Sequence, residues 1–123
     1  MTDIKYLILI VFLLYIIFNN LKSQKNIIKK VDLEDAKDNI ENSVYDLILD
    51  IRTIMEKSIG GLTIAKHISL EDLLFVENLI PNKNQNILVV SKNSQRAELF
   101  AEYISFKGYK NVSFLNDHWT KLA

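Results

Sequence analysis

The chain has 123 residues, enough for one domain, and its 15 basic side chains are balanced by 15 acidic ones. That balance argues against a nucleic-acid platform, where a basic excess is the usual footprint. The absence of cysteine excludes disulfides, thiolate metal sites and any cysteine nucleophile, and leaves the redox compartment open.

The first element is the segment "IKYLILIVFLLYIIFNNL", uninterrupted apolar or aromatic residues from Tyr6 to Phe18. At 1.5 Å per residue, Ile4–Leu21 spans roughly 27 Å, close to a ~30 Å hydrocarbon core. Lys5 is placed to snorkel, and Tyr6 and Tyr15 suit the interfaces. The segment predicts one transmembrane helix over 1–21, retained as an anchor. Alternatives are a cleaved signal peptide, for which no small-x-small site follows, and a buried core helix. Lys22, Lys25, Lys29 and Lys30 follow the segment, so the positive-inside rule predicts a cytoplasmic domain on the inner membrane, with a periplasmic one as the alternative. Ile, Lys and Asn make up about a third of the chain, the flavour of an AT-rich bacterial genome.

Residues 22–26 read as a tether and 27–123 as the domain. "IIKKV" predicts a brief edge strand whose lysines blunt edge pairing. Asp32 predicts an N-cap for "LEDAKDNIE", with acids in the first turn where the helix dipole favours them. "SVYDLILDIR" (43–52) predicts a buried strand ending on Asp50 and Arg52, read as a structural ion pair. Gly60–Gly61 marks a loop before a short strand around Leu62–His67. Ser69 predicts the cap of a helix "LEDLLFVENLI", ended by Pro81. "ILVV" (87–90) predicts a fully buried strand. It leads into six polar residues, Ser91, Lys92, Asn93, Ser94, Gln95 and Arg96, before a helix over about 96–107 that stops at Gly108. "NVSFL" (111–115) predicts the last strand. Strands alternating with helices predict an α/β fold with a parallel sheet flanked by helices.

Four segments in this order resemble the single-domain rhodaneses, which carry sulfur as a cysteine persulfide. "LILDIR" resembles the family's strand ending in Asp-Val-Arg. "EKSIGGLTIA" resembles Glu-x-x-x-Gly-His-Ile-Pro-Gly-Ala, with Glu56, Gly60 and Ala65 matching, but Gly61, Thr63 and Ile64 replacing His, Pro and Gly. "ILVVSKNSQR" resembles the strand and active loop Cys-x-x-Gly-x-Arg. "FKGYKNVSFLNDHW" resembles the closing signature, with Gly108, Tyr109, Asn111, Val112 and Trp119 in step.

The departures fall on the chemistry. Ser91 stands at the position of the persulfide-forming cysteine, and Ser94 replaces the loop glycine. A hydroxyl is un-ionised near neutral pH and cannot form a persulfide, whereas a thiol near pKa 8.5 is readily activated. The resemblance therefore implies a rhodanese-like pseudoenzyme, with no catalytic residue, metal or cofactor. Its expected role is a membrane-tethered binding, scaffolding or regulatory module. The alternative is an accessory component of a sulfurtransferase pathway that uses a partner's cysteine. Expected partners are the membrane, a protein, and a small anion held by the 91–96 loop at a helix amino terminus. Serine-dependent hydrolysis would require a base beside Ser91; the only histidines are His67 and His118, and no Gly-x-Ser-x-Gly elbow surrounds it.

Overall fold

The computed structural model describes residues 4–21, 28–57 and 60–122. The tether 22–26 lies outside the described residues. Among the described residues, five strands form one parallel sheet: β1 (Lys29–Val31), β2 (Leu47–Asp50), β3 (Lys66–His67), β4 (Asn86–Val90) and β5 (Asn111–Leu115), in the order β1-β5-β4-β2-β3. The helices are α1 (Ile4–Leu21), α2 (Leu33–Glu41), α3 (Ile54–Lys57), α4 (Val76–Leu79) and α5 (Ser94–Phe106). Two 3₁₀ turns, Leu70–Phe75 and Trp119–Leu122, complete the chain.

The pleat sorts the apolar runs onto two faces. Leu49, Ile87, Val89, Val112 and Phe114 turn to the side covered by α4 and α5. Ile48, Leu88, Val90 and Leu115 turn to the opposite side, against Ala36 of α2 and Trp119. Ile87 to Val90 are wholly buried, as a strand covered on both faces requires. In register, Asp50 lies opposite Val90 and His67, so the carboxyl ends of β2, β3 and β4 meet at one edge. β1 is an edge strand, with Lys29 and Lys30 exposed.

Several elements differ from the sequence reading for local reasons. The buried strand expected over 43–52 is confined to Leu47–Asp50, because Ser43 has a φ of 56° and turns the chain after α2. The helix expected after Ser69 is mostly 3₁₀: Ser69 Oγ donates to Asp72 Oδ2 at 2.9 Å, and only Val76–Leu79 is α-helical. α5 begins at Ser94 rather than near residue 96, since Asn93 Oδ1 accepts from the Arg96 amide at 2.8 Å and caps the helix there. Its end is as expected: Gly108 takes a φ of +104° and its amide bonds the Ser105 carbonyl. Asp32 precedes α2, but its carboxylate accepts from Asn116 Nδ2 instead of capping.

Among the described residues no helix is long and apolar enough to cross a membrane. The unbroken apolar run of α1 ends at Phe18, and 13 residues at helical rise cover only about 20 Å. The spanning helix is thus not recovered as expected, and α1 instead packs on the domain. Phe12 and Ile16 are buried in the core cluster around α5. Phe12 meets Tyr103 edge-on at 5.0 Å, and Tyr15 meets Tyr103 at 5.5 Å and Phe106 at 4.9 Å. The other face, including Leu7, Ile10, Leu14 and Ile17, is exposed.

Candidate functional site

β4 delivers Ser91 to the carboxyl edge of the sheet, where it is wholly buried. Its carbonyl accepts from the Trp119 amide at 3.1 Å, so the C-terminal turn closes over it. Among the described residues its Oγ has no hydrogen-bond partner. A buried hydroxyl in that state costs about 1–3 kcal/mol of desolvation, so packing around the loop, rather than a polar network, holds Ser91 in place.

Of the six polar residues, only Ser91, Lys92 and Asn93 lie outside a helix; Ser94, Gln95 and Arg96 form the first turn of α5. The loop's two cations converge on one carboxylate. Arg96 Nη1 is 2.6 Å from Glu56 Oε1, and Lys92 Nζ is 3.9 Å from Glu56 Oε2. Glu56 is itself fixed by a reciprocal pair with Thr53: the Thr53 amide donates to Glu56 Oε1 at 2.9 Å, and the Glu56 amide donates to Thr53 Oγ1 at 3.1 Å. Burial acts to raise the Glu56 pKa, but the Thr53 amide, Arg96 and Lys92 together outweigh it and hold the group below its ordinary value. Glu56 therefore stays an anion and occupies the slot that the loop's charge creates. Sequence reading marks Glu56 only as a match to the family motif and not as a partner of the loop, because Arg96 lies 40 positions away. The local signal is the Thr53-x-x-Glu56 capping box.

Asp50 and Arg52 support this arrangement from beneath. Arg52 Nε donates to Asp50 Oδ1 at 2.9 Å and Nη2 to Oδ2 at 2.7 Å, and both side chains are about 1% exposed. Burial acts to raise the Asp50 pKa, and the Arg52 bonds more than offset it, leaving the carboxyl below its ordinary value. Arg52 also donates to the Glu56 carbonyl at 3.2 Å and the Gly60 carbonyl at 2.7 Å. Its guanidinium lies 3.7 Å from the centre of the Trp119 ring. Gly60 takes a φ of +126°, which a side chain would resist, and that conformation presents its carbonyl to Arg52. The expected structural ion pair thus also ties α3, the glycine loop and the C-terminal turn into one frame.

The arrangement offers no base to Ser91. His67 Nε2 bonds the Arg52 carbonyl at 2.8 Å, and His118 Nδ1 bonds Thr120 Oγ1 at 2.7 Å. Among the described residues there is no group of three or more metal-ligating side chains. Beside the loop, between α1 and the start of α5, lies a groove of about 340 Å³ lined by Phe12, Asn93, Arg96 and Phe100 among others.

A parallel sheet with a strand–loop–helix site at its carboxyl edge, braced by a buried Asp–Arg pair, defines the class of α/β domains described above. The rhodanese-like domain family matches residues 32–123, and the chain belongs to that family. A rhodanese-like domain protein from Staphylococcus aureus superposes with a TM-score of 0.68 at 22% identity, covering 78% of this chain and 92% of its own. The rhodanese-like domain of an Anabaena protein gives 0.67 at 20% identity, covering 78% and 74%. A Rhodopseudomonas palustris protein of unknown function, described as a possible tyrosine phosphatase, gives 0.68 at 17% identity, covering 77% and 79%. At these identities the likeness establishes the fold. No curated protein matches this sequence.

Proposed function

We propose that this is a non-catalytic rhodanese-like module, attached to a membrane through α1, which binds a partner or a small anion at the 91–96 loop. One observation carries the reading: the residue at the family's sulfur-carrying position, Ser91, is a wholly buried serine whose Oγ meets no base. Oxygen cannot hold a persulfide, and a hydroxyl without a base is a poor nucleophile. The loop nevertheless keeps Lys92, Arg96 and the amino terminus of a 13-residue helix, a combination that attracts anions. Glu56 pairs with Arg96 at 2.6 Å and lies 3.9 Å from Lys92, so a ligand must displace or share it. The test is direct. Wild-type protein given thiosulfate and cyanide is expected to form no thiocyanate, while sulfate raises its melting temperature. Turnover by the wild type would overturn the reading.

Membrane attachment is supported by the exposed apolar face of α1 and by the run of lysines that follows it. With α1 docked on α5, that face lies in the acyl chains like an interfacial helix. The lysines that follow α1 place the domain on the cytoplasmic side of the inner membrane. In flotation on vesicles, the full chain is expected to float and an Ile10→Glu, Leu14→Glu variant to remain soluble. A single cysteine placed at Gln24 reports the side, since the native chain has no thiol. Labelling by an impermeant reagent in intact cells would contradict the cytoplasmic orientation.

A further inference from the structure

On the face of the sheet that α2 covers, the apolar alternation stops short at one end. Val31, Leu88 and Leu115 lie on that face. Two residues back along each strand, the same side of the pleat carries Lys29, Asn86 and Ser113, and Asn111 follows two residues before Ser113. The amino ends of β1, β4 and β5 thus present a polar floor. With Asn39 near the end of α2, Val44 and Tyr45 in the turn after it, and Lys110 ahead of β5, this floor bounds a cavity of about 200 Å³. The 91–96 loop stands at the opposite, carboxyl end of the strands.

Two cations line this cavity and no acid does. Among the described residues neither Lys29 nor Lys110 has an ion-pair partner. Residues 22–28, which precede Lys29, hold no acid either. Asp46 stands beside Asn86, but its Oδ2 accepts from the Asn86 amide at 2.8 Å and it does not line the cavity. The neutral groups keep donors to spare. Asn39 Nδ2 donates to the Tyr45 hydroxyl oxygen at 3.0 Å, which leaves the Tyr45 proton to donate elsewhere. Asn86 and Asn111 each spend one side-chain N–H on a main-chain carbonyl, that of Val44 or Asn84, and retain the second. The last carbonyls of α2, those of Asp38, Asn39 and Ile40, are bonded by the amides of Asn42, Val44 and Ser43. The negative end of that helix is therefore capped.

Spare donors around two unpaired cations suit an anion with several acceptor oxygens. The volume is below the ~300–1,000 Å³ of sites for drug-sized ligands, and Val31, Val44 and Val112 supply an apolar wall for only a short carbon chain. We propose that this cavity binds a small phosphate monoester, with its phosphate between Lys29 and Lys110 and with Tyr45, Asn86 and Asn111 donating to it. A phosphate monoester carries close to two negative charges and three acceptor oxygens, which match two ammonium groups and the neutral donors beside them. A carboxylate would leave one cation unanswered. The site is separate from the 91–96 loop and does not rest on the reading given to that loop.

The experiment titrates the full chain, isotope-labelled and held in dodecyl maltoside micelles, with glycerol 3-phosphate and follows its amide resonances. Saturable shifts are expected at residues 29, 86 and 110–113, nearly complete by about 10 mM, tenfold above a millimolar constant. Glycerol alone is expected to cause none. Lys29 and Lys110 are exposed, so Lys29→Gln and Lys110→Gln leave the fold intact. Each is expected to weaken binding roughly tenfold, the loss of one hydrogen bond to a charged group. Lys30→Gln removes the same charge from the other side of the pleat, where Lys30 pairs with Phe114, and is expected to leave the affinity unchanged. Phosphatidic acid added to the micelles carries the same group on a lipid and is expected not to compete. Shifts confined to residues 92–96, equal weakening by all three lysine variants, or a titration that does not saturate would each overturn the proposal. Displacement of glycerol 3-phosphate by phosphatidic acid would put the phosphate on a lipid and overturn the small ligand.

Discussion

Replacing Asp50 with alanine should be among the most damaging changes to this domain. Arg52 is wholly buried, with its Nε and Nη2 bonded to Asp50 and two further donors met by the Glu56 and Gly60 carbonyls. Asp50→Ala leaves the guanidinium buried with only neutral acceptors, and breaking such a pair costs about 3–5 kcal/mol. That is a large share of the ~5–15 kcal/mol typical of a domain. Arg52→Met should cost a similar amount, since it strands the carboxylate and removes the stack on Trp119. The double variant strands neither charge, so its cost should fall short of the sum by about 1–3 kcal/mol. Urea unfolding followed by tryptophan fluorescence measures all three, because Trp119 is the sole tryptophan and lies against Arg52. A cost under about 1 kcal/mol for Asp50→Ala, the range of exposed ion pairs, would refute the picture of a dry pair bracing the site.

Ser91→Ala should leave stability unchanged or raise it by about 1 kcal/mol, because it deletes a buried hydroxyl with no partner. A clear loss in the melting temperature would show that the hydroxyl has a partner after all. Glu56→Gln should bind sulfate roughly tenfold more tightly by isothermal titration, since Arg96 and Lys92 lose their counter-charge. Gln still accepts from the Thr53 amide, so unchanged affinity would mean that Glu56 does not guard the loop. Stability should also fall in acid. Asp50 and Glu56 titrate below their ordinary values of 3.8 and 4.5, so their contribution is complete above those values. It is lost as pH drops through the lower folded ones. The slope of stability below about pH 4.5 should be shallower in Glu56→Gln than in the wild type, and equal slopes would contradict the assignment.

The parts of this molecule legible in its sequence are those set by short-range pattern. Ile87–Val90 could only be a strand buried on both faces, Gly108 marked the end of α5, and Asp50 and Arg52 at a strand end read as a structural pair. The less legible parts depend on distant partners. A helix as apolar as α1 reads as a lipid segment on composition alone; that Phe12 and Tyr15 face Tyr103 and Phe106 is set by packing across about ninety residues of chain. Ser94 and Gln95 look like loop residues, and the Asn93 cap recruits them into a helix. The meeting of Glu56 with Arg96 depends on β2 and β4 lying side by side.

The account turns on Ser91 being sealed as well as chemically inert. Ser91→Cys gives the chain its only thiol, and thiol titration with an Ellman-type reagent, followed by transfer from thiosulfate to cyanide, examines both properties in one protein. The thiol should stay unreactive until denaturant is added, and no thiocyanate should form. Rapid reaction in the folded state, with turnover, would mean that an open sulfur-transfer site survives intact apart from its nucleophile, and would contradict a module closed to catalysis.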